Sequence, residues 1–143
     1  MTNMTTTTTR PSSSPFSVEC PNLLQQHLDR LRDSCISHEV IRERGYESVL
    51  GKKRLADLGF SSAQQRPNGI LIPQWSVNGK VTGYQYRSDN PRTNNKRKAI
   101  KYENATGSSI RLDCPPHCQK MLGDPMIPLW ITEGSKKGDA LAS

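Results

Sequence analysis

The sequence predicts an α+β fold: short N-terminal helices, then a small mixed or antiparallel β-sheet, then a single strand, turn and helix. Three observations predict it. Leu23, Leu24, His27, Leu28, Leu31 and Cys35 recur at spacings of three and four, the period of an amphipathic helix. Gly69-Ile70-Leu71-Ile72-Pro73 is an apolar run of strand length, and Asn78-Gly79 beyond it is a hairpin signal. Leu129-Trp130-Ile131-Thr132 is a second such run, predicted to be a buried strand, and Glu133-Gly134 after it turns the chain into a helix from about Ser135.

Taken in order, residues 1–20 form a Thr/Ser/Pro-rich tail, with an unbroken Thr run from Thr5 to Thr9. Such a stretch buries too little apolar area to offset its conformational entropy, so it is expected to be disordered. Residues 21–60 read as a helical unit. Ser37 suits the N-cap of a second helix through Val40 and Ile41, and Gly45 suits its C-terminal stop. Leu55, Ala56 and Leu58 make a third helix, stopped by Gly59. Residues 61–127 read as a basic, β-rich subdomain. Strands are expected around Gln74 to Val77 and Lys80 to Tyr86, with further candidates at Ala99 to Tyr102 and Ile110 to Leu112.

Composition narrows the function. The 143 residues hold 20 Lys and Arg against 13 Asp and Glu, a net charge of +7, which favours polyanionic partners because each cation set on a phosphate releases a counterion. No apolar run approaches the roughly 18 residues that span a bilayer, so no membrane association is expected. Cys20, Cys35, Cys114 and Cys118 lack the density of a secreted disulfide scaffold, and no apolar signal segment follows the start. Free thiols and a cytoplasmic location are the expectation.

Two constellations carry the candidate chemistry. From Lys80 to Lys101 the cations are Lys80, Arg87, Arg92, Lys96, Arg97, Lys98 and Lys101, with Asp89 the one acid between them and Tyr84, Tyr86 and Tyr102 interleaved. A sheet presenting these side chains could track a phosphate backbone and stack bases; equally, it could be a solvated hairpin with half-buried tyrosines. The second is Glu133-Gly134-Ser135-Lys136-Lys137-Gly138-Asp139. A carboxylate at the end of an apolar strand, beside a helix start, can act as a general base or hold Mg²⁺. It can equally be a helix-start residue favoured by the dipole.

The order of these segments resembles DnaG-type primases. There a strand ending in Pro precedes an Asp/Asn-Gly turn, a Gly-aromatic stretch ending in Arg and a Lys-Tyr pair, matched here by Pro73, Asn78-Gly79, Gly83 to Arg87 and Lys101-Tyr102. A Toprim (topoisomerase-primase) domain opening with Glu-Gly follows. Tyr84 to Arg92 and Glu133 to Leu141 are closer still to a Toprim-associated family of unknown function from replication proteins of plasmids and phages, and Ser34 to Tyr46 is similar to its helical start.

This resemblance, over residues 23–143, implies that residues 128–143 begin an incomplete Toprim α/β unit. It implies nucleic-acid contacts by Arg87, Arg92, Lys96, Arg97, Lys98, Lys101, Tyr84, Tyr86 and Tyr102. Gly134, Lys136 and Lys137 would face phosphates at the helix start. Glu133 would be the catalytic carboxylate and a Mg²⁺ ligand. Single-stranded or template DNA, nucleotides and the remainder of a replication protein, such as a helicase, are the implied partners. Mg²⁺ is implied for the full-length protein and no cofactor for this chain. Two departures stand out: Lys137 occupies the position of a primase Asp, and no Asp-x-Asp pair follows Glu133. The chain is therefore expected to be the N-terminal part of a longer protein and inactive alone, with Leu129, Trp130 and Ile131 poorly covered. The alternative is a non-enzymatic zinc or protein-interaction module, with Cys114, His117 and Cys118 joined by Cys35 and His38. His27 is expected at the edge of the core.

Overall fold

The computed structural model of the chain describes residue 17 and residues 19–143. Most of the tail expected to be disordered therefore lies outside the described residues. The architecture is α+β. In chain order come α1 (Gln25–Arg32), α2 (His38–Arg44), β1 (Glu47–Val49), α3 (Lys52–Asp57), β2 (Gly69–Trp75), β3 (Val81–Ser88), β4 (Glu103–Asn104) and α4 (Ser135–Leu141). The four strands form one antiparallel sheet in the order β1-β2-β3-β4. No helix among the described residues is long and apolar enough to cross a membrane.

The helices end where local chemistry ends them. The backbone N–H of Leu24 at the start of α1 donates to Ser48 Oγ at 2.8 Å, a cap supplied from β1 rather than from the helix's own first residue. At its other end the Ile36 N–H reaches back to the Leu31 carbonyl, with Cys35 in left-handed conformation at φ 60°. Glycine usually fills that place, because a Cβ there crowds the following carbonyl. Ser37 caps α2 as expected, accepting from the Val40 N–H at 3.4 Å, and Gly45 closes it at φ 79°.

Strand periodicity sorts the sheet's side chains onto two faces. Ile70 and Ile72 meet Leu28, Leu31, Ile36, Val40 and Ile41 from α1 and α2. Leu71 and Tyr86 point the other way, to Val49, Leu55 and Phe60. Phe60 meets the Tyr86 ring edge-on, with centroids 6.0 Å apart. Each fully buried aliphatic contributes about 2 kcal/mol. Gly69 is required where β2 meets β3: a Cβ there would lie 2.4 Å from the Arg87 carbonyl oxygen.

Several expected elements take a different form. β1 lies inside the stretch read as helical; its three residues are too few to show an alternation. β2 runs unbroken through Pro73 to Trp75 instead of stopping at the proline. In the hairpin only Gly79 takes positive φ, at 72°, while its N–H donates to the Ser76 carbonyl. The turn therefore spans Ser76 to Gly79, with glycine as the bulge residue, rather than using Asn78-Gly79 as a two-residue loop. Ala99 makes one isolated bridge, to Thr93, and the last strand forms at Glu103–Asn104. Ile110 to Leu112 is not a strand, and Ile110 is 99% exposed.

Leu129 to Thr132 is not a strand either, and Leu129, Trp130 and Ile131 are exposed. A strand exists only through a ladder partner, and none of the four strands pairs with this run.

α4 is attached by charge. Arg44, at the end of α2, is fully buried. Its guanidinium forms an ion pair with Asp139 of α4, which is also fully buried, and another with Asp113 at 2.6 Å. It donates further to the Pro73 carbonyl at 3.1 Å, and the Tyr46 hydroxyl donates to Asp139 at 2.5 Å. Burial alone would weaken the Arg44 charge, but hydrogen bonds and attraction from Asp139 and Asp113 hold its pKa above the ordinary guanidinium value. Asp113 also accepts from the Trp75 N–H at 2.8 Å, and the Trp75 carbonyl accepts from the Cys114 N–H at 2.8 Å. Ala140 and Ala142 add small apolar contacts to the core.

Candidate nucleic-acid interface

The same alternation that builds the two cores divides the predicted ribbon. Tyr84 and Tyr86 share one face of β3, and Gln85 and Arg87 share the other. Tyr86 is buried, its hydroxyl donates to the Arg66 carbonyl at 2.5 Å, and burial pushes its pKa up to about 12. No base can stack on a ring covered in this way. Tyr84 is half-buried beside the second core, with the Arg54 guanidinium 5.7 Å from its ring centroid.

Arg87 looks the other way, opposite Ile70 in the register. Its guanidinium lies 5.8 Å from the ring centroid of Tyr102, which packs half-buried on the first core. α4 brings Lys136 to the same place. Burial lowers the pKa of the Lys136 ammonium, and the nearby charges of Arg87 and Arg30 lower it further, with Asp33 opposing. Lys136 thus feels the charges of Arg87 and Arg30, and of the three it is Arg87 that lies over the aromatic ring.

Arg30 was not singled out from sequence. It sits on the polar face of an amphipathic helix, where a solvated cation is the ordinary expectation. Its other neighbour is Asp89, whose carboxylate oxygens take Arg30 at 2.5 Å and His27 at 2.9 Å. Burial pushes the Asp89 carboxyl up, but the hydrogen bonds from His27 and Arg30 outweigh it and hold its pKa below the usual range. His27 is fully buried, deeper than the core edge expected for it, and its Nδ1 lies 2.6 Å from Ser48 Oγ.

The remaining predicted cations behave differently from one another. Arg92 is paired with Glu103 at 2.8 Å, so its charge is met within the molecule. Lys96, Arg97, Lys98 and Lys101 are exposed. The first three sit on a tight turn that the Asn94 side chain closes by accepting the Lys96 and Lys98 N–H groups, with Arg97 at φ 57°.

Glu133 is exposed and pairs with Lys137 one helical turn later, and the hydrogen bond and charge of Lys137 lower its pKa. A general base working near neutrality needs its pKa raised, so this setting shifts it in the opposite direction. The run that leads into it is not a strand. Gly134 occupies the N-cap of α4 without a side-chain cap. Asp139, the one later carboxylate, is turned into the Arg44 junction. Glu133 belongs to no group of three or more carboxylate, His or Cys ligands among the described residues, so the residues present do not fit a Mg²⁺ site.

Nor do the residues of the zinc reading converge. His38 Nδ1 pairs with Glu19 at 2.9 Å, His117 Nδ1 lies 3.1 Å from Glu43, and Cys35 is exposed on its helix-ending turn. Burial raises the thiol pKa of both Cys114 and Cys118, and no group of three ligands forms around them among the described residues.

No protein-family model matches the chain, and no curated protein matches it. Among solved structures, the structure of the DnaG catalytic core is similar, with a TM-score of 0.46 and 16% sequence identity. The match covers 67% of this chain and 37% of that one, so the chain corresponds to little more than a third of that structure.

Proposed function

We propose that this chain is a nucleic-acid-binding module, the primase-like N-terminal part of a Toprim-containing replication protein of a mobile element. Arg87 and Lys136 with Tyr102 form the primary contact, beside Arg30, whose charge is already paired with Asp89. Lys96, Arg97, Lys98 and Lys101 extend it along the β3–β4 loop, and single-stranded or template DNA is the ligand. The observation that supports this reading is the Arg87 guanidinium over the Tyr102 ring, with the Lys136 ammonium near enough for its pKa to be lowered by Arg87. Like charges held near one another repel. A phosphate backbone would turn the repulsion into attraction.

Lys136 connects this face to α4. Its place beside Arg87 depends on the Arg44–Asp139 junction, so the nucleic-acid face is complete only when α4 is docked. By itself the chain is proposed to bind without polymerising; Mg²⁺-dependent primer synthesis by the purified chain would refute that half of the proposal.

The binding half is tested by fluorescence anisotropy with a labelled single-stranded oligonucleotide over a range of KCl. Affinity should fall steeply with salt, and Arg87→Ala with Lys136→Ala together should reduce the log–log slope by roughly 1.4, about 0.7 for each lost phosphate contact. Arg92→Ala should leave the slope unchanged. A flat salt response, or an Arg92 effect equal to that of Arg87, would overturn the assignment.

A further inference from the structure

We propose that Glu39, Glu43 and His117 form a site for one divalent transition-metal ion, which clasps α2 to the 3-10 turn Pro116–Met121. The site is separate from the cationic face and independent of the reading given for it.

The placement follows from the packing of α2. Val40, Ile41 and Arg44 are its buried residues, which fixes the helix's rotation. Glu39 and Glu43, four apart, then share the exposed side. Opposite them the Cys114 N–H is anchored on the Trp75 carbonyl, Pro115 and Pro116 stiffen the backbone, and the following turn packs against α2. The imidazole of His117 is thereby delivered to the two carboxylates, with Nδ1 3.1 Å from Glu43 Oε2. One ligand atom from each of the three residues lies within 4.8 Å of the others.

Donors bound about 2.1 Å from one ion stand at most about 4.2 Å apart, so a small swing of the two exposed carboxylates closes the set. Glu39 and Glu43 repel each other at their i, i+4 spacing, and a dication between them answers that charge. One nitrogen and two carboxylate donors favour Zn²⁺, Mn²⁺ or Co²⁺ over Mg²⁺ and Ca²⁺, which take all-oxygen sets. This donor set also differs from the cysteine-based one that the sequence suggests. His117 is common to both, but its partners are the glutamates of α2 rather than Cys114 and Cys118.

The test uses the full chain, stripped of metal with a chelator. Isothermal titration with ZnCl₂ should show one ion per chain, and Zn²⁺ should raise the thermal midpoint, because the bound form is the folded one. His117→Ala and Glu43→Gln should each weaken Zn²⁺ by at least about tenfold and abolish the midpoint shift. Without metal, both variants should melt with the parent, since all three side chains are surface groups. Co²⁺ should bind without a thiolate-to-cobalt charge-transfer band. Failure to bind Zn²⁺, binding unaffected by either substitution, or a thiolate band that assigns the ion to Cys114 and Cys118 would overturn the proposal.

Discussion

The body of the molecule, residues 19–105, and the stretch that follows it are held by different physics. In the body, two apolar clusters sandwich the sheet, and most large aliphatics there are covered, with Leu50, Val77 and Val81 the exposed ones. In residues 106–143 the apolar side chains face outward: Ile110, Leu112, Met126, Leu129, Trp130 and Ile131 are all largely exposed. What fastens this second region is a buried guanidinium between two carboxylates. Losing one buried aliphatic leaves a cavity but no uncompensated charge. Losing one partner of a buried ion pair strands the other's charge away from water.

The largest test of this contrast is Arg44→Ala. It leaves Asp139 buried without its cation, and the expected cost is about 4 kcal/mol in urea unfolding. Hydrogen exchange should show the α4 amides losing protection before those of β2 and β3. Uniform loss of protection would mean that the two regions are one cooperative unit.

Asp89→Asn comes next, at about 2 kcal/mol, since it removes charge-assisted hydrogen bonds to His27 and Arg30. The sign with pH follows from the lowered Asp89 pKa. Its contribution is present above the unfolded value near 3.8 and is lost as pH falls through the lower folded value. The urea midpoint of the parent should therefore drop at acid pH more steeply than that of Asp89→Asn.

Cys35→Gly is a smaller effect of opposite sign. It relieves the left-handed strain at the end of α1 and should stabilise the body by up to about 1 kcal/mol, read from the same urea curves. Smallest of all, Glu133→Gln should leave the thermal midpoint unchanged. Its pair with Lys137 is solvent-screened, and set beside Arg44→Ala it shows that burial rather than ion pairing as such anchors the second region.

The fold was legible in the sequence where local signals agree with tertiary contacts. The periodicity from Leu23 to Leu31, the Ser37 cap, Gly45 and Gly59 each act on their own neighbours as expected, whereas Cys35, the last residue of that period, lies past the helix and is exposed. Leu129 to Ile131 misleads because apolar composition marks a potential strand, while a ladder partner decides whether one forms. Tyr86 misleads differently: it lies among cations in sequence, but a period of two turns it away from them. Of the cationic face, Arg87, Tyr102 and Lys136 were within reach of motif reasoning. Arg30 was not, nor was the Arg44–Asp139–Asp113 junction, because residues so far apart in the chain carry no mutual signal until the helices dock.

Pro73 has one more effect. β1 covers only Gly69 to Leu71 of β2, and past that point the flank of a central strand would stand open. There the proline offers no N–H, its carbonyl is taken by Arg44, and the polar groups of Trp75 are occupied by Asp113 and Cys114. A foreign strand meets no template on that side, and the two-residue β4 offers little on the other. That flank of β2 is thus closed to pairing with a foreign strand, and the arginine that docks the last helix is also part of the cap.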